Sequence, residues 1–272
     1  MTPASSAPSF ADLLRAAVTE PGVISSAYRQ FHNYSLGNQL LAWAQCLERD
    51  IPPGPMATYS KWLELGRHVK RGERALVLCQ PVTVRRCVEH TDDAGQVATD
   101  DTAFTKFVYK PRWFVLAQTD GSELEPAPIP AWSLPQALTA LQIQEVPFEA
   151  TDGNCLGYAR ARSIAINPVN PLPHKTRFHE LAHVLLGHTA EGQHADSEIT
   201  PRNLRECEAE AVALLCLAAL DLPGADHCRG YIQAWWGSGN PIPERSAQRI
   251  LKTADQILRA GSTRSVAVDD AP

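Results

Sequence analysis

The pentapeptide His179-Glu180-Leu181-Ala182-His183 constrains this chain more than any other feature, because its chemistry works only on a helix. Residues four apart lie one turn above each other on one helix face. Both imidazoles can then hold one ion, and Glu180 falls beside an open coordination position. The flanks agree with a helix from Lys175 to Leu186, closed at Gly187: Phe178, Leu181, Ala182, Leu185 and Leu186 are apolar. Two histidines and a carboxylate buried with them require a compensating partner such as a metal. His179 and His183 are therefore read as metal ligands and Glu180 as the catalytic general base. Zinc, or another divalent metal such as manganese, lowers the pKa of water at such a site to about 7, and the carboxylate takes the proton.

A zinc site of this kind needs a third protein ligand. The residues after His183, Val184-Leu185-Leu186-Gly187-His188, lack the His-x-x-Gly-x-x-His extension that would supply it. The next helix, expected from Leu204 to Leu220, offers Glu206, Glu208 and Glu210. Glu208 shares a face with Val212 and Leu215 and is expected to point inward as the ligand, with Glu206 and Glu210 serving neighbouring groups or water. His188, just past a helix-ending glycine, reads as a partner of the helix dipole. His227 and Tyr231 lie where a transition-state donor would come from, yet read as packing or surface residues. Tyr158 to Ile166 alternates like a strand, and beside the cleft it would pair with an extended peptide substrate.

Length and composition allow the rest. The chain of 272 residues, 44% of them hydrophobic, suits one large or two modest domains. Helices are expected over Phe10–Val18, Tyr28–Leu47, Tyr59–Leu65, Leu134–Leu141 and Pro243–Arg259, and a strand over Phe104–Ala117. A hairpin is expected around Lys70-Arg71-Gly72-Glu73, and the acid-rich run Glu89 to Asp101 reads as a loop. The seven cysteines are scattered, form no Cys-x-x-Cys pair and read as reduced thiols. The chain begins without a basic or apolar leader, and its longest apolar run, Ala211 to Leu220, is about half a bilayer span. A cytoplasmic protein with no membrane partner is expected.

The net charge of −5 excludes a uniformly basic nucleic-acid binder, but charge is uneven. Basic residues outnumber acids between Met56 and His90, and Lys106 to Phe114 contains no acid. Lysines and arginines that track phosphates beside aromatic faces that stack on bases are what a single strand needs. The candidate DNA contacts are Lys61, Trp62, Arg67, Lys70, Arg71, Arg74, Lys106, Tyr109, Lys110, Arg112 and Trp113.

Four stretches occur in order: Tyr34 to Leu41, Trp62 to Glu73, His179 to His188, and Arg205 to Glu210. Together they resemble the motifs of ArdC-type antirestriction proteins. The resemblance implies an α+β chain. An N-terminal α+β single-stranded-DNA-binding domain would span 1–125 and a Pro-rich linker 122–135. A mainly helical zincin-like metallopeptidase domain with a small sheet would span 136–260, and 261–272 would be a disordered tail. It also implies non-specific binding of single-stranded DNA and protection of incoming plasmid DNA from host restriction during conjugation. It matches His179 and His183 to the ligands, Glu180 to the catalytic carboxylate and Glu208 to the third ligand. The alternative is a DNA-associated zinc metalloprotease, SprT-like or repressor-cleaving, whose main role is to cut a DNA-bound protein.

Overall fold

The structure, a computed structural model, describes residues 8–91, 97–125, 128–149, 154–189, 201–237, 239 and 241–263. Three helices come first: α1 (Phe10–Thr19), α2 (Val23–Phe31) and α3 (Leu36–Glu48). There follow β1 (Met56–Thr58), α4 (Tyr59–Glu64), β2 (Arg67–Val69), β3 (Leu76–Thr91), β4 (Val97–Val115) and β5 (Thr119–Gly121). Next are α5 (Leu134–Leu141), β6 (Gln144–Glu145), β7 (Gly157–Arg160) and β8 (Ser163–Ile166). The chain ends with α6 (Pro173–Leu185), α7 (Arg202–Ala219), α8 (Ala225–Gly237) and α9 (Glu244–Gly261). The fold is α+β, as the sequence predicts.

Packing divides the chain into two compact units, 45–123 and 8–44 together with the residues from 124 onward. Residues 8–44, expected in the N-terminal domain, thus pack with the second unit. The cause is amphipathic burial: α1 and α2 turn Leu13, Leu14, Val18, Ile24 and Phe31 inward, and α1 lies on α8 and α9, α2 on α7. The Glu244 carboxylate accepts from the amides of Phe10 and Ala11 at 3.2 and 2.9 Å, covering N–H groups that α1 leaves open. One helix was expected from Tyr28 to Leu47, but the chain breaks at 32–35, where Asp255 accepts the Leu36 amide at 3.0 Å. A partner 219 residues away leaves no local signal.

In the first unit β4 pairs antiparallel with β1 and β3, and β2 pairs with β5. The β3–β4 ladder runs out to Thr91 and Val97, through much of the run expected as a loop. Backbone pairing needs no apolar side chains to continue it. The core gathers Trp62, Leu76, Leu78, Trp113 and Val115.

In the second unit α7 is buried on every side from Cys207 to Leu217, the pattern of a central helix, and it packs against α6, α8 and α9. The expected strand from Tyr158 to Ile166 is a hairpin, β7 and β8, turning at Ala161 with φ +50°. A two-residue turn preserves the alternation of side chains, so periodicity runs straight through it. The small sheet has the order β6-β8-β7, leaving β7 at an edge against α6. That approach requires Gly157, where a Cβ would lie 2.5 Å from the Thr176 methyl. The end of the expected linker is anchored: the Trp132 indole donates to the Ile257 carbonyl and packs edge-on against Phe178. α8 buries only Cys228 and Ile232, too little periodicity to have shown in the sequence. The tail from 264 lies outside the described residues, as does the linker at 126–127.

Candidate metal centre

Helix α6 begins with Pro173 at its first position, where the missing N–H costs nothing. It carries His179 and His183 on the face turned to α7, and their Nε2 atoms lie 3.0 Å apart. Glu206 Oε2 on α7 lies 3.4 Å from the first and 3.6 Å from the second. These three residues form the metal-competent cluster found among the described residues, with one ligand atom from each within 4.8 Å of the others. Ligands about 2.0–2.1 Å from one tetrahedral ion sit about 3.3 Å from each other. The donor set, two imidazole nitrogens and a carboxylate oxygen, and its spacing therefore fit a divalent ion. The Glu206 pKa is held well below the ordinary carboxylate value by hydrogen bonds with His179 and then His183.

Glu208, expected as the third ligand, is not in that cluster. It is fully buried, and its Oε2 lies 3.0 Å from His188 Nε2. Its Oε1 lies 3.7 Å from the Arg249 guanidinium. The reason is helical geometry. Glu206 and Glu210, one turn apart, share the face toward His179, while Glu208 is turned away from that face toward His188 and Arg249. Because α7 is buried all round, pointing inward did not identify the metal-facing side. Burial works to raise the Glu208 pKa, but hydrogen bonds from His188 and Ser246 and the Arg249 charge outweigh it and leave it lowered.

Glu210 accepts from Lys175 at 2.7 Å and lies 3.6 Å from His179 Nδ1. Glu180 is buried, and burial raises its carboxyl pKa against the opposing pull of His179 and His183. His188 is more than a dipole partner. Gly187, at φ +77°, turns the chain back so that the His188 amide donates to the His183 carbonyl at 2.9 Å. Its Nδ1 then sits 3.0 Å from His183 Nδ1. Burial lowers the His188 pKa, opposed by its hydrogen bond with Glu208. Tyr231 is exposed on α8, and its phenol pKa is raised by burial first and then by Glu206. His227 is exposed.

The candidate DNA contacts of the first unit separate into core and surface. Trp62 is 1% exposed and donates to the Phe114 carbonyl at 2.8 Å, and Trp113 is buried. Both are core residues, because an indole in this small sheet fills the space between β1, β4 and α4. Trp62→Ala is expected to cost the first unit about 3–5 kcal/mol, read as a shift of its urea midpoint. Strand affinity per folded molecule should stay unchanged. Lost affinity at full stability would return Trp62 to the interface.

Arg67 is spent on the β2–β5 pair, donating to Thr119 Oγ1 at 2.8 Å and to the Ser122 carbonyl. Lys70 donates to the Ala117 carbonyl at 2.9 Å, and Lys61 pairs with Glu64 at 3.0 Å. Arg71, Arg74, Lys106 and Arg112 are exposed and Lys110 is half-buried. On β4 the aromatic side chains Phe107 and Tyr109, 66% and 41% exposed, alternate with Lys106 and Lys110 and so take the opposite face. Phe107, which composition did not single out, is the most exposed aromatic there.

Residues 16–110 match the N-terminal domain of anti-restriction factor ArdC, and residues 139–225 match the IrrE N-terminal-like domain of M78 peptidases. Among solved structures, the metal-free antirestriction ArdC protein from plasmid R388 is similar at a TM-score of 0.52 and 17% identity, over 93% of this chain and 94% of that one. Its Mn(II)-bound structure is similar at 0.53 and 17%, over 93% and 98%. No curated protein matches the chain. Among the described residues no helix is long and apolar enough to cross a membrane.

Proposed function

The chain is an ArdC-type protein, and on that premise we propose that it protects incoming DNA from host restriction by binding single strands and by peptide hydrolysis at a divalent-metal site. The convergence of His179 Nε2, His183 Nε2 and Glu206 Oε2 carries the reading. These residues would hold zinc or manganese. The ArdC structure with Mn(II) supports a divalent ion. When bound, such an ion supplies Lewis acidity toward a peptide carbonyl and toward water.

The protein's own residues do the rest. Glu180, on the next position of the same helix as His179, accepts the proton of the attacking water and returns it to the leaving amine. Among the described residues β7 pairs with β8 alone in its sheet, which makes it the strand to which an extended peptide would add. The Tyr231 phenol on α8 feels the charge of Glu206 and, more weakly, of Glu210.

Strand binding is assigned to the first unit. Phe107 and Tyr109 supply stacking faces on one side of β4, the exposed Arg71, Arg74 and Arg112 supply charge, and Lys106 and Lys110 add charge from the opposite side of the strand. Fluorescence anisotropy of a labelled oligonucleotide tests this. Log affinity should fall linearly with log salt, by about 0.7 for each phosphate neutralised. Phe107→Ala should weaken binding by about 1–3 kcal/mol. Absence of binding at low salt refutes the DNA half. Absence of zinc or manganese binding by the full chain refutes the other.

A further inference from the structure

We propose that His188, backed by Glu208, is a positioning residue that fixes the metal-binding tautomer of His183. The inference rests on the assignment of His179, His183 and Glu206 as ligands. To ligate, His183 must present a bare Nε2, the atom 3.0 Å from His179 Nε2 and 3.6 Å from Glu206 Oε2. Its ring proton then belongs on Nδ1, which faces His188 Nδ1 at 3.0 Å. Two ring nitrogens at that distance share one proton, so His183 donates and His188 accepts. The remaining proton of His188 falls on Nε2, 3.0 Å from Glu208 Oε2.

The chain of donors therefore runs one way, from His183 through His188 to a carboxylate with no proton to give. Run in reverse, it would need a proton on Glu208 and would place one on His183 Nε2, blocking the ligand atom. The Arg249 guanidinium, 3.7 Å from Glu208 Oε1, favours its acceptor role. Arg249 also donates to the Leu186 carbonyl at 2.6 Å, tying α9 to the end of α6. Ligating histidines ordinarily give their second N–H directly to a carboxylate, carbonyl or water. Here His179 has Glu210 close to its Nδ1, whereas His183 reaches its carboxylate through a second imidazole. Helix α7 thus supplies a ligand from Glu206 and, two residues on, the acceptor that ends this relay.

The test uses the full chain. Zinc affinity is measured by competition with a chelator, and the ring tautomer of His183 by ¹⁵N NMR of the metal-free protein. In the wild type, His183 should carry its proton on Nδ1. His188→Leu should weaken zinc binding by about 10–100-fold and let the Nε2–H tautomer appear. His188→Gln should stay close to wild type, since its amide oxygen accepts and its NH₂ donates. A His188→Leu protein with wild-type affinity and tautomer overturns the proposal, as does His188→Gln binding no better than His188→Leu.

Should His188→Leu fail to fold, Glu208→Gln takes its place. Its amide can donate to His188 and reverse the chain, so it should populate the Nε2–H tautomer of His183 and weaken zinc, and unchanged values overturn the relay. A wild type that binds no zinc removes the ligand assignment instead, and the metal-free tautomer still decides the relay.

Discussion

Glu180→Gln is expected to lower metal-dependent peptide hydrolysis by about 10²–10⁴-fold while leaving zinc affinity and strand binding unchanged. Glutamine keeps the shape and the acceptor oxygen of the side chain but cannot take a proton from water. Because Glu180 is buried and burial raises its pKa, removing its charge should leave thermal stability equal or slightly higher. Initial rates on a peptide library, metal titration and a melting curve read the three quantities. Protection of transferred DNA, scored with the same variant in a conjugation assay, separates the two roles proposed for the chain. Lost protection makes proteolysis the working activity, and retained protection assigns it to strand binding. Full hydrolytic activity in Glu180→Gln removes the carboxylate from its role as base.

What the sequence made legible divides along physical lines. The α6 motif could be read because its requirement is local: two histidines at helical spacing, a carboxylate between them and an apolar flank. Glu206 could not be singled out from Glu208 by the same means, since α7 is buried on every side from Cys207 to Leu217 and its sequence marks no metal-facing side. The spacing of Glu206 and Glu210, one turn apart like His179 and His183, is the signal that pairs the two helix faces. His188 depends on Gly187 adopting a left-handed conformation, so its role follows from a turn rather than from a period.

In the first unit, basic and aromatic content pointed to a surface, but composition cannot say which indole fills the core. Trp62 and Trp113 went inside, while Phe107 stayed out. The packing of α1 and α2 with the second unit follows from distant partners such as Asp255 and Glu244. No local pattern announces those contacts.

Glu206→Ala and Glu208→Ala are expected to separate metal binding from folding. Structural zinc sites bind with about 10–16 kcal/mol from four ligands, or roughly 3 kcal/mol each, so losing Glu206 should weaken zinc by on the order of 10²-fold or more. Its side chain is 36% exposed, so the metal-free Glu206→Ala protein should unfold at nearly the wild-type urea midpoint. Glu208 is the opposite case. Truncating it strands His188 Nε2 and the Arg249 guanidinium, and loss of one partner from a buried pair costs up to about 3–5 kcal/mol. Arg249 is itself partly exposed, which places the expected loss at about 2–3 kcal/mol. Any loss of zinc by Glu208→Ala should pass through His183 and stay within about 10–100-fold. Chelator competition on the two variants, paired with urea unfolding of their metal-free forms, reads both effects. If Glu208→Ala loses the ion at undiminished stability while Glu206→Ala keeps it, the third ligand is Glu208 after all.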